Sequence, residues 1–208
     1  MKTTGTVLLF CCLLVACSSR KNEVKNEELT TISETVAKNK KTTTFQPMEL
    51  TYPGSKIAFK VSVHDKQLII QPSGLSVSND TFQHDITGYT VMNAEIGDLN
   101  LDGYPEVFVY LSSDGSGSYG KLIGYSVNNG KSASQVYLPP ISEDSKISNG
   151  YMGHDEMAIV ESTFCLRFPI YKEGDSNSNP TGGTRQIQYK LVDGENSRFL
   201  KVEKILEF

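Results

Sequence analysis

From Met48 onward the hydrophobic pattern of the chain repeats every two residues, and this constrains the fold more than any other feature. Segment 57–63 alternates apolar and polar side chains, as a strand with one buried face does. A turn at 64–66 and the return over 67–71 predict a hairpin. No segment beyond residue 48 keeps a 3.6-residue period for three turns. We therefore predict an all-β fold: one antiparallel β-sandwich over residues 46–208.

Further strands are predicted at 75–78, 89–96, 106–111, 121–127, 157–168, 186–192 and 199–206. The loop between the last two contains Asp193-Gly194, a pair typical of hairpin turns. The length of 208 residues suits one such domain.

Charge and histidine content exclude several function classes. The chain has 20 Lys+Arg against 24 Asp+Glu, a formal net charge of −4, which argues against nucleic-acid binding. Its three histidines leave little material for a metal centre or a His-based relay. Segment 154–156, His-Asp-Glu, invites a catalytic interpretation, but scattered acids are more often a solvated edge. We predict a protein that is not an enzyme and needs no cofactor.

The N-terminus carries the features of an exported lipoprotein. Lys2 precedes an apolar run at 7–16 that is too short to span a bilayer. The run ends in Leu-Val-Ala-Cys at 14–17, which resembles a bacterial lipobox. We expect a signal peptide at 1–16, lipidation of Cys17 and a location in the bacterial cell envelope, facing the periplasm or the cell surface. A plain signal peptide, with Cys17 incidental, is the alternative.

Residues 17–45 are polar and have no aromatic residue before Phe45, so we expect a flexible tether. The mature chain would keep one further cysteine, Cys165, which cannot form an intramolecular disulfide. It lies in a strand-like run, and we interpret it as a small buried hydrophobe.

An acidic loop follows the strand predicted at 89–96. Asp98, Asn100 and Asp102 alternate, Gly103 follows, and Glu106 completes the start of a calcium-loop pattern. The position where an EF-hand needs a bidentate Glu is Val109. Calcium binding and capping of the turn by its own side chains both remain open.

A second informative loop, 112–120, consists of serines, glycines, one aspartate and one tyrosine. Its core is Ser116, Gly117, Ser118 and Tyr119. It lacks the Lys-Ser/Thr ending of a phosphate-binding P-loop. Composition alone favours an ordinary hairpin loop, although a thin loop with one aromatic side chain also suits entry into a narrow cleft.

With its preceding strand, this loop resembles the periplasmic inhibitors of invertebrate-type (I-type) lysozyme, whose motif is Ser-Gly-x-Tyr. The segments 153–158, 167–171 and 182–189 are similar as well, and the resemblance covers about residues 50–206. It implies an antiparallel β fold that inserts residues 116–119 into the substrate cleft of an I-type lysozyme. Ser116 and Tyr119 would hydrogen-bond the enzyme's catalytic carboxyl groups.

The resemblance thus implies a partner protein, protection of bacterial peptidoglycan and evasion of host defence. The lipobox and tether depart from the soluble family pattern. The alternative function is a calcium-stabilised, membrane-anchored β-sandwich binding module with no lysozyme target. A homodimer is left open, since edge strands can pair. Arg185 is interpreted as a strand-end residue paired within its own molecule rather than as a partner contact.

Overall fold

The computed structural model describes residues 45–208. The predicted signal peptide, the lipidation of Cys17 and all but the last residue of the predicted tether lie outside this range. Within residues 45–208, no helix is long and apolar enough to cross a membrane.

Within residues 45–208, twelve strands form three four-stranded antiparallel sheets. The strands are β1 Met48–Thr51, β2 Ala58–His64, β3 Gln67–Ser73, β4 Phe82–Asp85, β5 Tyr89–Gly97, β6 Glu106–Ser113, β7 Gly120–Asn128, β8 Ser132–Val136, β9 Glu156–Val160, β10 Thr163–Pro169, β11 Thr184–Val192 and β12 Phe199–Glu207. The first sheet contains β1 to β4, the second β5 to β8 and the third β9 to β12, each in an order that follows the chain. A 3₁₀ turn at Ile141–Glu143 and the short helix α1 at Ser145–Ser148 precede the third sheet.

The second sheet lies between the other two and contributes to two hydrophobic cores. Strand β6 explains how, because its first six residues are all buried. Side chains alternate along a strand, so Val107 and Val109 enter the core shared with β2 and β3. Phe108 and Tyr110 enter the core shared with β10 and β11. Burying each large apolar side chain contributes about 1.5–3 kcal/mol. The loops at both ends of β6 are therefore attached to a strand that is buried on both faces.

The all-β, antiparallel fold class is confirmed, and a third sheet extends the face-to-face packing expected of a sandwich. The predicted strand 157–168 is two strands, because Glu161 adopts a positive φ of 56° and turns the chain between β9 and β10. Segment 75–78 is not a strand. Strands β1, β4 and β8, each four or five residues long, were not predicted.

Arg185 is paired within its own molecule, as expected, although it is buried rather than on the surface. Its guanidinium donates to the carbonyl oxygens of Ile147 and Asn149, both at 2.6 Å, and to Glu207. It therefore satisfies carbonyl groups at the end of α1. Cys165 is free and buried in β10, which agrees with its interpretation as a core residue.

Candidate functional site

The loop predicted to carry function joins β6 to β7 and is closed at its base. The Ser113 N–H donates to the Tyr119 carbonyl oxygen at 2.9 Å, and the Tyr119 N–H donates to Ser113 Oγ at 2.8 Å. Inside the loop, the Ser118 N–H donates to the Gly115 carbonyl oxygen at 3.1 Å. Ser118 has a positive φ of 44°, which turns the chain back toward β7.

Residues from outside the loop hold its backbone. The His154 N–H donates to the Gly117 carbonyl oxygen at 2.7 Å, and Asn177 Nδ2 donates to that of Ser116 at 2.9 Å. Gly153 allows the first contact, because a Cβ atom there would overlap the Gly117 carbonyl oxygen, and its φ of 85° also favours glycine. The segment around Gly153, which belongs to the resemblance, thus lies directly against the Ser-Gly-Ser-Tyr loop.

Three side-chain hydroxyls at the tip of the loop have no hydrogen-bond partner among the described residues. Ser116 is exposed, and Tyr119 keeps 45% of its surface accessible. Among the hydrogen bonds of residues 45–208, none involves the hydroxyl group of Ser116, Ser118 or Tyr119. The Tyr119 ring meets Tyr151 edge to face, with ring centroids 5.7 Å apart. The loop therefore combines an anchored backbone with three hydroxyls that no described residue binds, each able to donate and accept.

Asp155 lies under the end of this loop. Its Oδ2 atom accepts from the Gly120 N–H and from the Tyr151 hydroxyl, each at 2.6 Å. Its Oδ1 atom is buried and has no hydrogen-bond partner among the described residues. Burial raises the pKa of Asp155 above its usual value, against the effect of these hydrogen bonds. Burial and the bond to Asp155 likewise raise the pKa of Tyr151.

The His-Asp-Glu segment does not form a hydrogen-bonded relay. His154 Nε2 bonds to Asn177 Oδ1 at 3.1 Å, and its ring stacks on Tyr171. The bonds of the Asp155 carboxylate go to Gly120 and Tyr151 instead. His154 thus connects the loop to the segment that contains Tyr171 and Asn177, and Asp155 connects it to Tyr151.

A groove of about 560 Å³ opens beside the loop, within the usual size range of ligand sites. Tyr119 and Tyr137, which is 51% exposed, both line it. Pro139 and Pro140 line it as well. The groove therefore extends the surface on which Tyr119 is exposed. Tyrosine is enriched at protein interfaces, so this surface has the composition of a binding site for a protein.

The acidic loop between β5 and β6 is organised in the opposite way, since its oxygens accept from its own backbone. Asp98 accepts from the N–H groups of Asp102 and Gly103 at 3.1 and 2.9 Å. Asp102 accepts from the Tyr104 N–H at 2.9 Å. This is the arrangement in which short polar side chains cap a turn.

Asp102 and Glu106 also face Arg198. The Arg198 guanidinium donates to Asp102 at 2.8 Å and lies 3.8 Å from Glu106. Glu106 is fully buried and also accepts from the Leu99 N–H and the Ser126 hydroxyl. In the part of the chain that the structure describes, no three His, Cys, Asp or Glu side chains form a group that could hold a metal ion. An arginine thus supplies the positive charge next to the residues that were candidates for calcium.

No protein-family model matches the chain, and no match was found among curated proteins or solved structures. The resemblance to the inhibitor family therefore rests on the motifs themselves. Sequence reasoning identified the loop and the segment 153–158 but missed Tyr151 and Asn177, which hold the loop. Tyr151 lies two residues before the segment 153–158 and could have been included with it, whereas Asn177 lies in a polar stretch without a distinguishing pattern.

Proposed function

We propose that this protein is an inhibitor of I-type lysozyme that places residues 116–119 in the substrate cleft of the enzyme. One observation carries the proposal: the loop backbone is anchored from outside, while the hydroxyls of Ser116, Ser118 and Tyr119 have no hydrogen-bond partner within residues 45–208. A loop of this kind brings hydrogen-bonding groups to a partner without first losing bonds of its own.

The chemistry of the target fits this arrangement. Glycosidases of the lysozyme type use one protonated and one ionised carboxyl group on either side of the scissile bond. A hydroxyl can donate to the carboxylate and accept from the acid, so Ser116 and Tyr119 suit both groups. The thin Ser-Gly backbone keeps the loop narrow, and the exposed Tyr119 ring supplies an aromatic anchor.

The test is inhibition of I-type, chicken-type and goose-type lysozymes on cell-wall substrate by the purified protein. We expect stoichiometric inhibition of the I-type enzyme and weak or no inhibition of the other two. The matched control is a variant with both Ser116 and Tyr119 changed to Ala, which leaves the anchoring backbone contacts in place. Absence of inhibition of all three enzymes by the wild-type protein, or equal inhibition by the double variant, would refute the proposal.

A further inference from the structure

We propose that Asp155 is a positioning residue that latches the loop, so that Tyr119 is held in its binding arrangement before a partner arrives. The effect of the latch on inhibition rests on the proposed function. Its effect on the order of the loop does not, and the two can be measured separately.

One carboxylate oxygen of Asp155 bonds to two groups that adjoin Tyr119. Oδ2 of Asp155 accepts from the N–H of Gly120, the residue that follows Tyr119, at 2.6 Å. The same oxygen accepts from the hydroxyl of Tyr151 at 2.6 Å, and the Tyr151 ring meets the Tyr119 ring. Asp155 therefore fixes both the backbone next to Tyr119 and the aromatic surface against which Tyr119 lies.

The close fit around Gly120 supports this role. A Cβ atom on Gly120 would lie 2.8 Å from the Cβ atom of Asp155, so the carboxylate approaches the strand only because residue 120 is glycine. The neighbouring N–H of His154 holds the Gly117 carbonyl oxygen on the other side of the loop. The segment 153–155 thus bonds to the loop backbone on both sides of Tyr119, at Gly117 and at Gly120.

The second oxygen of Asp155 points to the same conclusion. Oδ1 is buried without a hydrogen-bond partner in residues 45–208, which costs free energy. Packing does not explain why a carboxylate occupies this position. The two hydrogen bonds that Oδ2 accepts do explain it. Asparagine has the same shape as aspartate and can accept both bonds without a charge. The substitution Asp155→Asn therefore tests whether the two hydrogen bonds, rather than the negative charge, hold the loop.

The first arm of the test measures loop order by NMR relaxation of the backbone amides of Gly117, Tyr119 and Gly120 in the full-length protein. We expect Asp155→Ala to increase their mobility and to shift the Tyr119 ring signals, while amides in β2 and β3 stay unchanged. Asp155→Asn should keep wild-type order. Should Asp155→Ala fail to fold, Tyr151→Phe removes one of the two bonds and should give a smaller change of the same kind. A folded variant with neither Oδ2 bond whose loop is as ordered as the wild type would overturn the proposal.

The second arm measures inhibition of I-type lysozyme. We expect Asp155→Ala to weaken inhibition at least tenfold, because the loop must then be ordered on binding, and Asp155→Asn to stay within about threefold of wild type. If the loop becomes mobile and inhibition is unchanged, the latch does not position Tyr119 for binding and the proposal fails. If the wild-type protein inhibits no lysozyme, the proposed function fails, and the NMR comparison still decides whether Asp155 latches the loop.

Discussion

The two loops at the ends of β6 use their polar residues in opposite ways. In the acidic loop, the side chains of Asp98 and Asp102 accept hydrogen bonds from the backbone of the same loop, and Arg198 pairs with Asp102. In the serine-glycine loop, residues 112–120, other segments hold the backbone, and the hydroxyls of Ser116 and Tyr119 bond to no residue that the structure describes. The comparison teaches that an unusual composition does not by itself identify a binding loop. A better indication of a binding loop is that other segments bond its backbone, so that its own polar side chains are left to bond a partner.

The largest expected effect concerns the structural role of the acidic loop. Arg198→Ala removes the cation next to Asp102 and the fully buried Glu106, together with hydrogen bonds to Ser126 and Val127. Each buried polar or charged group that is left without its hydrogen-bond partner costs about 1–3 kcal/mol. We expect the free energy of unfolding, measured with urea, to fall by about 3 kcal/mol.

Arg167→Ala is the matched control for this change, because the Arg167 side chain is exposed and hydrogen-bonds only to Gln186 among the described residues. We expect it to cost less than about 1 kcal/mol. If Arg198→Ala is equally mild, the acidic loop is not held as described.

Glu106, at the end of the same loop, makes the free energy of unfolding depend on pH. Burial raises its pKa from the usual 4.5 to about 7. The folded state then binds the proton more tightly than the unfolded state, so the contribution to stability is complete below about pH 4.5 and is lost as pH rises to about 7. With 1.36 kcal/mol for each pKa unit, the loss is at most about 3 kcal/mol.

Glu106→Gln removes this titration while its side chain can still accept the bond from the Leu99 N–H. We expect urea unfolding from pH 4.5 to 7.5 to show a falling difference in stability between wild type and variant. Parallel stability curves for the two proteins would contradict this assignment.

Substitutions in the serine-glycine loop should lower the affinity for the partner rather than the stability of the fold. Tyr119→Ala removes an exposed aromatic anchor, so we expect affinity for I-type lysozyme to fall by about 2 kcal/mol. Ser116→Ala removes one hydroxyl, for which about 1 kcal/mol is typical. Both variants should unfold within about 0.5 kcal/mol of wild type, since neither side chain is buried.

Leu101→Ala, in the acidic loop, is the control for these two variants because Leu101 is 75% exposed. It should change neither affinity nor stability appreciably. Loss of affinity in this control, or wild-type affinity in both loop variants, would remove the functional distinction between the two loops.

Sequence patterns predicted what depends on neighbouring residues and missed what depends on distant ones. The apolar run 107–111 predicted the central strand β6, and glycine and serine content located the loop after it. The partners of both loops lie far along the chain: Asp155 is 35 residues from Gly120, and Arg198 is 96 residues from Asp102. Such contacts follow from how the sheets pack, which a local pattern does not contain. The turn at Glu161-Ser162 was missed for a local reason, because it lacks the glycine or asparagine that usually accompanies a positive φ.

The smallest expected effect is that of calcium, and it separates the two interpretations of the acidic loop. An extracellular calcium site with a Kd of about 10⁻⁴–10⁻³ M would stabilise the fold by roughly 1.4–2.7 kcal/mol at about 10 mM calcium. For a domain of this size that corresponds to a rise in Tm of roughly 3–10 °C. Because Asp98 and Asp102 already accept bonds from backbone N–H groups and from Arg198, we expect no calcium-specific rise. Magnesium chloride at the same concentration controls for screening of the net charge. A rise of several degrees with calcium alone would mean that the ion displaces Arg198 and the backbone bonds, and both loops of β6 would then be binding loops.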